Sequence, residues 1–330
     1  MFREIGIIVN PKAKGINKDK TLADQFEQIV KDRGIVVTTH NEEELYQTLI
    51  KFKQRNIKII GIAGGDGTIM RVFSALWAIY KEEEFPLIAL LKGGTINIIA
   101  HNLGIYGNPV AILEKVLRLY NRYLTKGIDI PIRFQKTMIV NNKYVCTLFG
   151  SGLGGSYFEE YYRGTSPGPI KAALVLSRFF VAGVLRTPYG ERMLTGVKTK
   201  IKVDGRELPY TKYPIVAAST LRTLPLGLRI FYRADSVPNT FHFIATSEDY
   251  TQIAIQLPRV LAGKPITGEN HYDLVCKNVE IHFDEPFPWV IEGDIFYDPD
   301  ISIRVGPVIK VIEVKAGDSM PGPEKEEANL

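Results

Sequence analysis

The segment Gly64-Gly65-Asp66-Gly67-Thr68 stands between an apolar run at 57–63 and a stretch in which Ile69, Val72, Phe73, Leu76 and Tyr80 recur at helical spacing. Glycines at such a junction let the backbone close on a phosphate, and the free N–H groups that open the helix favour an anion. A carboxylate among phosphates repels them unless it holds a divalent cation or takes a proton. Asp66 therefore points to metal-assisted phosphoryl chemistry. A second loop, Gly93-Gly94-Thr95-Ile96-Asn97, follows the apolar run 87–91 and adds a hydroxyl and an amide. A third, Asn10-Pro11-Lys12-Ala13-Lys14-Gly15, follows the run 5–9 and offers an amide and two cations to a nucleotide phosphate. Each loop alone is an ordinary turn. Three of them, each after an apolar strand, meet at one edge if the strands are parallel, because ligands of an open parallel sheet bind beyond its carboxyl ends.

The elements that must position these loops alternate up to Gly127. Leu22, Phe26, Ile29 and Val30 mark a helix that Gly34 is expected to end, and 35–37 reads as a strand. Asn41, with Glu44 three residues on, caps a helix whose Leu45, Leu49 and Phe52 face inward. Asn108-Pro109 opens another, carrying Leu113, Val116, Leu117 and Tyr120. Apolar strands alternating with amphipathic helices predict a parallel sheet covered on both faces. Beyond Gly127 the pattern becomes short alternating strands with turns at Asn141-Asn142 and Asp204-Gly205, interrupted by helical insertions near 170–185 and 249–262. This half reads as an antiparallel sandwich or barrel, with Gly150-Ser151-Gly152 as a turn between strands. The expected division is an α/β domain over 1–127, a mainly antiparallel β-sandwich domain over 128–312 and a disordered tail over 313–330.

Composition narrows the class. With 45% hydrophobic and 23% charged residues, 330 residues suit two globular domains rather than a disordered chain. The longest apolar stretch, 172–185, falls short of the roughly 20 residues a bilayer span needs and carries Arg178. No signal peptide is read at the N-terminus, and Cys146 and Cys276 suit free thiols in a reducing compartment, so a cytoplasmic protein is expected. The five histidines show no ligand spacing, which excludes a sequence-legible zinc site, and a net charge of +5 calls for no nucleic-acid partner.

The order Val9-Asn10-Pro11…Gly15, Gly64-Gly65-Asp66-Gly67-Thr68, then Gly94-Thr95-Ile96-Asn97…Ala100…Leu103-Gly104 resembles the diacylglycerol kinase catalytic domain family, which includes bacterial soluble lipid kinases and sphingosine and ceramide kinases. The resemblance reaches to about residue 312. The Gly-Gly-Asp-Gly-Thr motif alone is also similar to NAD kinase, a distant relative, whereas the Gly94-Thr95-Ile96-Asn97…Ala100 loop favours the lipid branch. It implies an NAD kinase/diacylglycerol kinase-like fold, with ATP and Mg²⁺ as cofactors. ATP would be held by Asn10, Pro11, Lys12, Lys14, Thr39, Gly64, Gly65, Asp66, Gly67, Thr68, Gly94, Thr95 and Asn97. Asp66 and Asp129 would belong to the metal network. The family's catalytic base sits in an Asp-Gly-Glu turn; here the carboxylates are exchanged, as Glu292-Gly293-Asp294, which implies Asp294 as base with Glu292 beside it. Ile98 stands where bacterial members often carry a second acid, and 233–239 lacks the Asp-Gly of a structural metal site, so no second metal is expected.

The expected reaction is transfer of the γ-phosphate of MgATP to a hydroxyl of diacylglycerol, a sphingoid base or a similar lipid. The implied partner is a lipid at the membrane surface, with peripheral association at the inner face and a homo-oligomer as the expected assembly; the apolar stretch 170–185, flanked by Lys171, Arg178 and Arg186, reads equally as the membrane-facing segment or as a core helix of the second domain. Two alternatives stay open: the likeness to NAD kinase leaves an NAD kinase-like or other non-lipid kinase, and Ile98 with the exchanged carboxylates leaves a nucleotide- or lipid-binding sensor with weakened catalysis.

Overall fold

The computed structural model describes residues 4–314 apart from 82, 165–167, 195 and 225–226; the tail expected over 313–330 lies, from 315 on, outside the described residues. The first part of the chain runs β1 (Ile5–Val9), α1 (Lys14–Asn17), α2 (Leu22–Val30), β2 (Gly34–Thr38), α3 (Glu42–Gln54), β3 (Ile59–Ala63), α4 (Asp66–Tyr80), β4 (Leu87–Leu90), α5 (Ile98–Asn102) and α6 (Pro109–Lys126). The four strands pair in parallel in the order β2-β1-β3-β4. Every residue of β1 and β3 is buried, as strands covered by helices on both faces must be. The chain leaves β1 for β2 on one side and enters β3 on the other, so the crevice between β1 and β3 is the topological switch point.

Local signals act largely as their chemistry dictates. The Asn41 side chain accepts from the Glu44 amide at 2.9 Å, and the Glu44 carboxylate accepts in return from the Asn41 side-chain amide and from the backbone amide of His40, each at 2.8 Å, a variant of the capping box displaced by one residue. Gly34 does not end α2. The helix stops at Val30, Lys31 takes the positive φ of 48°, and Gly34 opens β2, where a Cβ would lie 2.6 Å from that of Val30.

The rest of the chain runs β5 (Ile132–Gln135), β6 (Met138–Val140), β7 (Tyr144–Cys146), β8 (Leu148–Gly152), α7 (Leu153–Tyr162), α8 (Pro169–Val184), α9 (Pro188–Leu194), β9 (Lys198–Val203), β10 (Arg206–Glu207), β11 (Thr211–Lys212) and β12 (Ile215–Ser219). There follow β13 (Phe241–Thr246), α10 (Tyr250–Ile255), α11 (Leu257–Leu261), β14 (His271–Cys276), β15 (Asn278–Phe283), β16 (Trp289–Ile291), β17 (Asp294–Phe296), β18 (Asp300–Val305) and β19 (Ile309–Ile312). Two antiparallel sheets form, β10-β9-β15-β18-β6-β7 with β11 on β9, and β14-β13-β12-β8-β16-β17. They share a core holding Phe149, Phe243, Ile281, Trp289 and Ile303. On β9 and β15 exposed and buried residues alternate, whereas β13 is buried throughout, because Phe231 and Ala234 cover its outer face at Ile244.

Two features depart from expectation. Gly150-Ser151-Gly152 is the end of β8, paired with both β12 and β16, rather than a turn. The first sheet is completed by strands from beyond Gly127, with β19 parallel to β4 and β5 antiparallel to β19. The chain thus crosses between the two domains at 132–135 and again at 309–312. Among the described residues no helix is long and apolar enough to cross a membrane.

The segment carrying Ile230 and Phe231 is anchored by Asp273 on β14. Its Oδ1 lies 2.8 Å from His242 Nε2 and 3.1 Å from Arg233 Nη1, and its Oδ2 accepts from the Tyr232 hydroxyl at 2.8 Å. Burial pushes this carboxyl up, but the bonds from His242, Tyr232 and Arg233 outweigh it and hold the pKa at about 2. A depressed carboxylate stabilises the fold above the pKa of its unfolded form, near 3.8, and that contribution, up to about 2 kcal/mol, is lost as pH falls through about 2. Asp273→Asn is therefore expected to lower the melting temperature at neutral pH and to flatten its decline from about pH 4 to about pH 2.

Candidate active site

The loops after β1, β3 and β4 meet beyond the carboxyl ends of their strands. The Asn10 amide N–H donates to Ala63 O at 2.9 Å, and its side-chain Nδ2 donates to Thr68 Oγ1 at 2.7 Å, tying the first loop to the second. Its Oδ1 accepts from the Lys12 amide at 3.0 Å, and Lys12 Nζ donates to His40 O at 2.9 Å. The second and third loops touch backbone to backbone: a Cβ on Gly94 would lie 2.5 Å from the Gly65 Cα. Neither chain segment has a flexible end there to give way. Gly94→Ala is accordingly expected to cost about 1–3 kcal/mol and to weaken nucleotide binding about tenfold or more by calorimetry.

Asn97 shapes the third loop from within. At φ +53° its Oδ1 accepts from the amides of Gly93 and Gly94, at 3.3 and 3.0 Å, and its Nδ2 donates to Gly94 O at 2.9 Å. It is buried and holds the loop rather than facing the cavity. Asp66 opens α4, and its Oδ1 accepts from the Ile99 amide at 3.3 Å, at the start of α5. Burial pushes this carboxyl up, against the backbone N–H groups of Ile98, Ile99, Asp66 and Asn97, which pull it down. Ile98 is buried and contributes its backbone, not an acid, to this junction.

The turn Glu292-Gly293 closes the β16–β17 hairpin, with Ile291 opposite Asp294 and φ values of +47° and +93°. Positive φ at both central residues matches the twist of the strands, although it is an uncommon conformation for glutamate. The turn aims its two carboxylates differently. Glu292 Oε1 accepts from Thr147 N and Thr147 Oγ1, each at 2.6 Å, and from Leu148 N at 3.1 Å. Its Oε2 is buried without a hydrogen-bond partner. Burial, then the neighbouring Asp66 charge, push Glu292 up to about 7 despite those donors. Asp294 faces the second loop and accepts from Arg71 Nη2 at 2.5 Å, while Arg71 Nη1 holds Gly67 O at 3.2 Å. Burial raises the Asp294 pKa, and Arg71 pulls against it.

A cavity of about 640 Å³ joins these groups. At one end stand Asn10, Lys12, Lys14, Gly65–Thr68 and Thr95; Asp66, Glu292 and Asp294 line it with Arg71. The other end is apolar, walled by Leu153, Tyr157, Phe158, Leu176, Phe179 and Phe231. A chamber of about 150 Å³ continues beyond Leu176 and Phe179 toward Ile253 and Val260. A larger open groove, about 1150 Å³, lies behind the Thr95–Ile98 segment. In it Arg133 pairs with Glu313 and Arg222 with Asp235, Lys136 donates to the Ala234 and Val237 carbonyls, and none of the three carboxylates lines it.

Pro11, Gly64 and Asn97 belong to the site's loops without lining the cavity, and two further residues expected there lie apart from it. Thr39 is buried behind β1, its amide donating to Val9 O at 2.9 Å. Asp129, expected with Asp66 at a metal, is exposed in the connection from α6 to β5, and the carboxylate whose charge acts on Glu292 is Asp66. The reason is topological: residues 127–131 lead away to β5 at the far edge of the sheet. Arg71 was not foreseen. Only its place one turn into the helix that Asp66 opens, on the face of Gly67, could have signalled it.

A buried carboxylate oxygen with no donor, beside a second carboxylate held up by burial, fits a divalent cation. Among the described residues no three His, Cys, Asp or Glu side chains converge, so such an ion would draw further ligands from nucleotide phosphates and water, as Mg²⁺ commonly does.

Comparison with known proteins agrees with the fold. Two solved structures described as putative diacylglycerol kinases from Bacillus anthracis str. Sterne match 95% of this chain, with TM-scores of 0.68 and 0.67 and 16% identity. They are themselves covered over 97% and 98% of their lengths. At that identity the likeness is one of fold. No curated protein matches the chain in sequence. Residues 4–125, which carry all three loops, match the family described as diacylglycerol kinase catalytic domain.

Proposed function

We propose that this protein transfers the γ-phosphoryl group of MgATP to a hydroxyl of a lipid alcohol such as diacylglycerol or a sphingoid base. The observation that carries the reading is the continuity of the 640 Å³ cavity from the glycine loops, past the carboxylates, into a wall of aromatic and aliphatic side chains. A polyol or dinucleotide acceptor has no use for such a wall; a hydrocarbon chain does. Phosphates would lie against the N–H groups that open the 15-residue α4, with Lys12, Lys14 and Thr95 around them. Asp66 and Glu292 would hold Mg²⁺, which when bound neutralises charge on the transferring phosphoryl group. Asp294 would accept the acceptor's hydroxyl proton, and Arg71 would fix its carboxylate and face the phosphoryl oxygens. The Arg71–Asp294 ion pair equally favours a second reading, a nucleotide and lipid sensor whose base is kept occupied.

Glu292→Gln keeps an oxygen for the donors of Thr147 and Leu148 and removes a charge beside Asp66. It is expected to raise the melting temperature without Mg²⁺ by a few degrees, about 1 kcal/mol, and to shrink the added stabilisation from Mg²⁺ and nucleotide. The test of the function is phosphate transfer from labelled MgATP to diacylglycerol, monoacylglycerol, sphingosine and ceramide in mixed micelles, with NAD alongside. Label in a lipid and none in NAD supports the reading. Label in NAD alone replaces it with the dinucleotide branch, and nucleotide binding with no label anywhere replaces it with the sensor.

A further inference from the structure

An ionised carboxylate has about four lone-pair sites, shared equally between its two oxygens. At Glu292 the donors are gathered on one side. Oε1 accepts from the Thr147 amide and hydroxyl, each at 2.6 Å, and from the Leu148 amide at 3.1 Å. Oε2 is buried with no hydrogen-bond partner. Three donors already saturate the lone pairs of Oε1, so that oxygen has none left for another ligand. The donor set is anchored. Thr147 is fully buried in the link by which the chain passes from β7 in one antiparallel sheet to β8 in the other. Its carbonyl accepts from the Thr220 amide and the Ser219 hydroxyl, both at 2.9 Å. Donors held in this way do not follow the carboxylate if it turns.

We infer that Thr147 is a positioning residue that makes Glu292 a one-oxygen ligand and thereby sets a preference for Mg²⁺ over Ca²⁺, an inference that rests on the assignment of Glu292 to a cation in the lipid-kinase reading. Mg²⁺ demands an octahedron of ligands at about 2.0–2.1 Å and is commonly bound through one or two carboxylates together with phosphates and water. Ca²⁺ takes roughly six to eight oxygens at about 2.3–2.6 Å and readily uses both oxygens of one carboxylate. Glu292 lines the cavity with Asp66, whose charge acts on it. With Oε1 engaged, Glu292 has only Oε2 to give, and a second contact from it would break hydrogen bonds to Thr147 and Leu148. The larger ion forfeits a ligand; the smaller one forfeits nothing. Of the three donors only the hydroxyl depends on the side chain, because the other two are backbone amides. The identity of residue 147 therefore sets how firmly Oε1 is held.

The test compares wild type with Thr147→Val, which keeps the shape of the side chain and loses its hydroxyl, and with Thr147→Ser, which keeps the hydroxyl. The melting temperature of the full chain is followed as Mg²⁺ or, separately, Ca²⁺ is added in the presence of a non-hydrolysable ATP analogue. Wild type and Thr147→Ser are expected to respond to Mg²⁺ at lower concentrations than to Ca²⁺. In Thr147→Val the response to Mg²⁺ is expected to weaken about tenfold or more, the loss that follows removal of a group orienting a metal ligand, and the gap between the two ions to close. A Thr147→Val protein that melts lower with its gap unchanged makes the residue merely structural and overturns the inference. A wild type that responds to both ions alike overturns it too, as does one stabilised by the analogue and unmoved by either ion. None of these readouts needs turnover. A gap that closes in Thr147→Val, with no lipid labelled in micelles, keeps the role of Thr147 and removes the kinase reading. Labelled lipid with an unchanged gap does the reverse.

Discussion

Asp66→Asn is expected to lower kcat by about 10³-fold or more, a loss of roughly 4 kcal/mol of transition-state stabilisation, while the protein still folds. The substitution is nearly isosteric, and the asparagine oxygen can still accept from the Ile99 amide that Asp66 meets at 3.3 Å. What disappears is a charge. Asp66 is a carboxylate held against burial at the meeting of two helix N-termini, and its charge acts on Glu292, which burial raises as well. Two such acids are costly in the empty protein, and asparagine relieves that cost, so the melting temperature without Mg²⁺ should hold or rise. Addition of Mg²⁺ with a non-hydrolysable ATP analogue should then raise it far less than in wild type. Wild-type turnover in this variant would remove Asp66 from the reaction.

Asp294→Asn is expected to lower kcat by about 10²–10⁴-fold with little change in the KM for ATP, the range associated with loss of a general base. Its amide oxygen can still accept from Arg71, so the contact of the β16–β17 turn with α4 survives. Because Asp294 faces Gly67 and Arg71 rather than the unpartnered oxygen of Glu292, its loss should leave stabilisation by Mg²⁺ and nucleotide unchanged. The pair of variants thus separates two proposed roles that one activity assay confuses, coupling of Asp66 to the cation and of Asp294 to the acceptor's proton. Steady-state kinetics with melting curves in Mg²⁺ decides it. A large rise in the KM for ATP with kcat intact would place Asp294 in nucleotide binding instead.

Legibility in the sequence followed the range of the interactions. The three glycine loops and the helices after them could be read because their chemistry lies within a few residues of each strand end, and the parallel order that unites them follows from apolar strands alternating with helices. Asn97 was legible as a member of its loop but not in its role, since only the fold shows its amide spent on Gly93 and Gly94. Glu292 and Asp294 could be found as a turn, yet their division of labour depends on Thr147 and on Arg71, 145 and 223 residues away in sequence. Asp129 is pointed to by the resemblance alone, and the path of the chain to β5 carries it away from the site. Gly150-Ser151-Gly152 has the composition of a turn, and tertiary pairing on both sides makes it a strand.

The most direct test of the account is mass analysis of the lipid fraction after incubation with isotope-labelled γ-phosphate in MgATP and lipid alcohols in mixed micelles, wild type beside Asp66→Asn. A phospholipid carrying the label, formed by wild type and absent with the variant, is the predicted result. A wild-type protein that binds MgATP, binds lipid in the same micelles and yields no labelled phospholipid from any alcohol would contradict it.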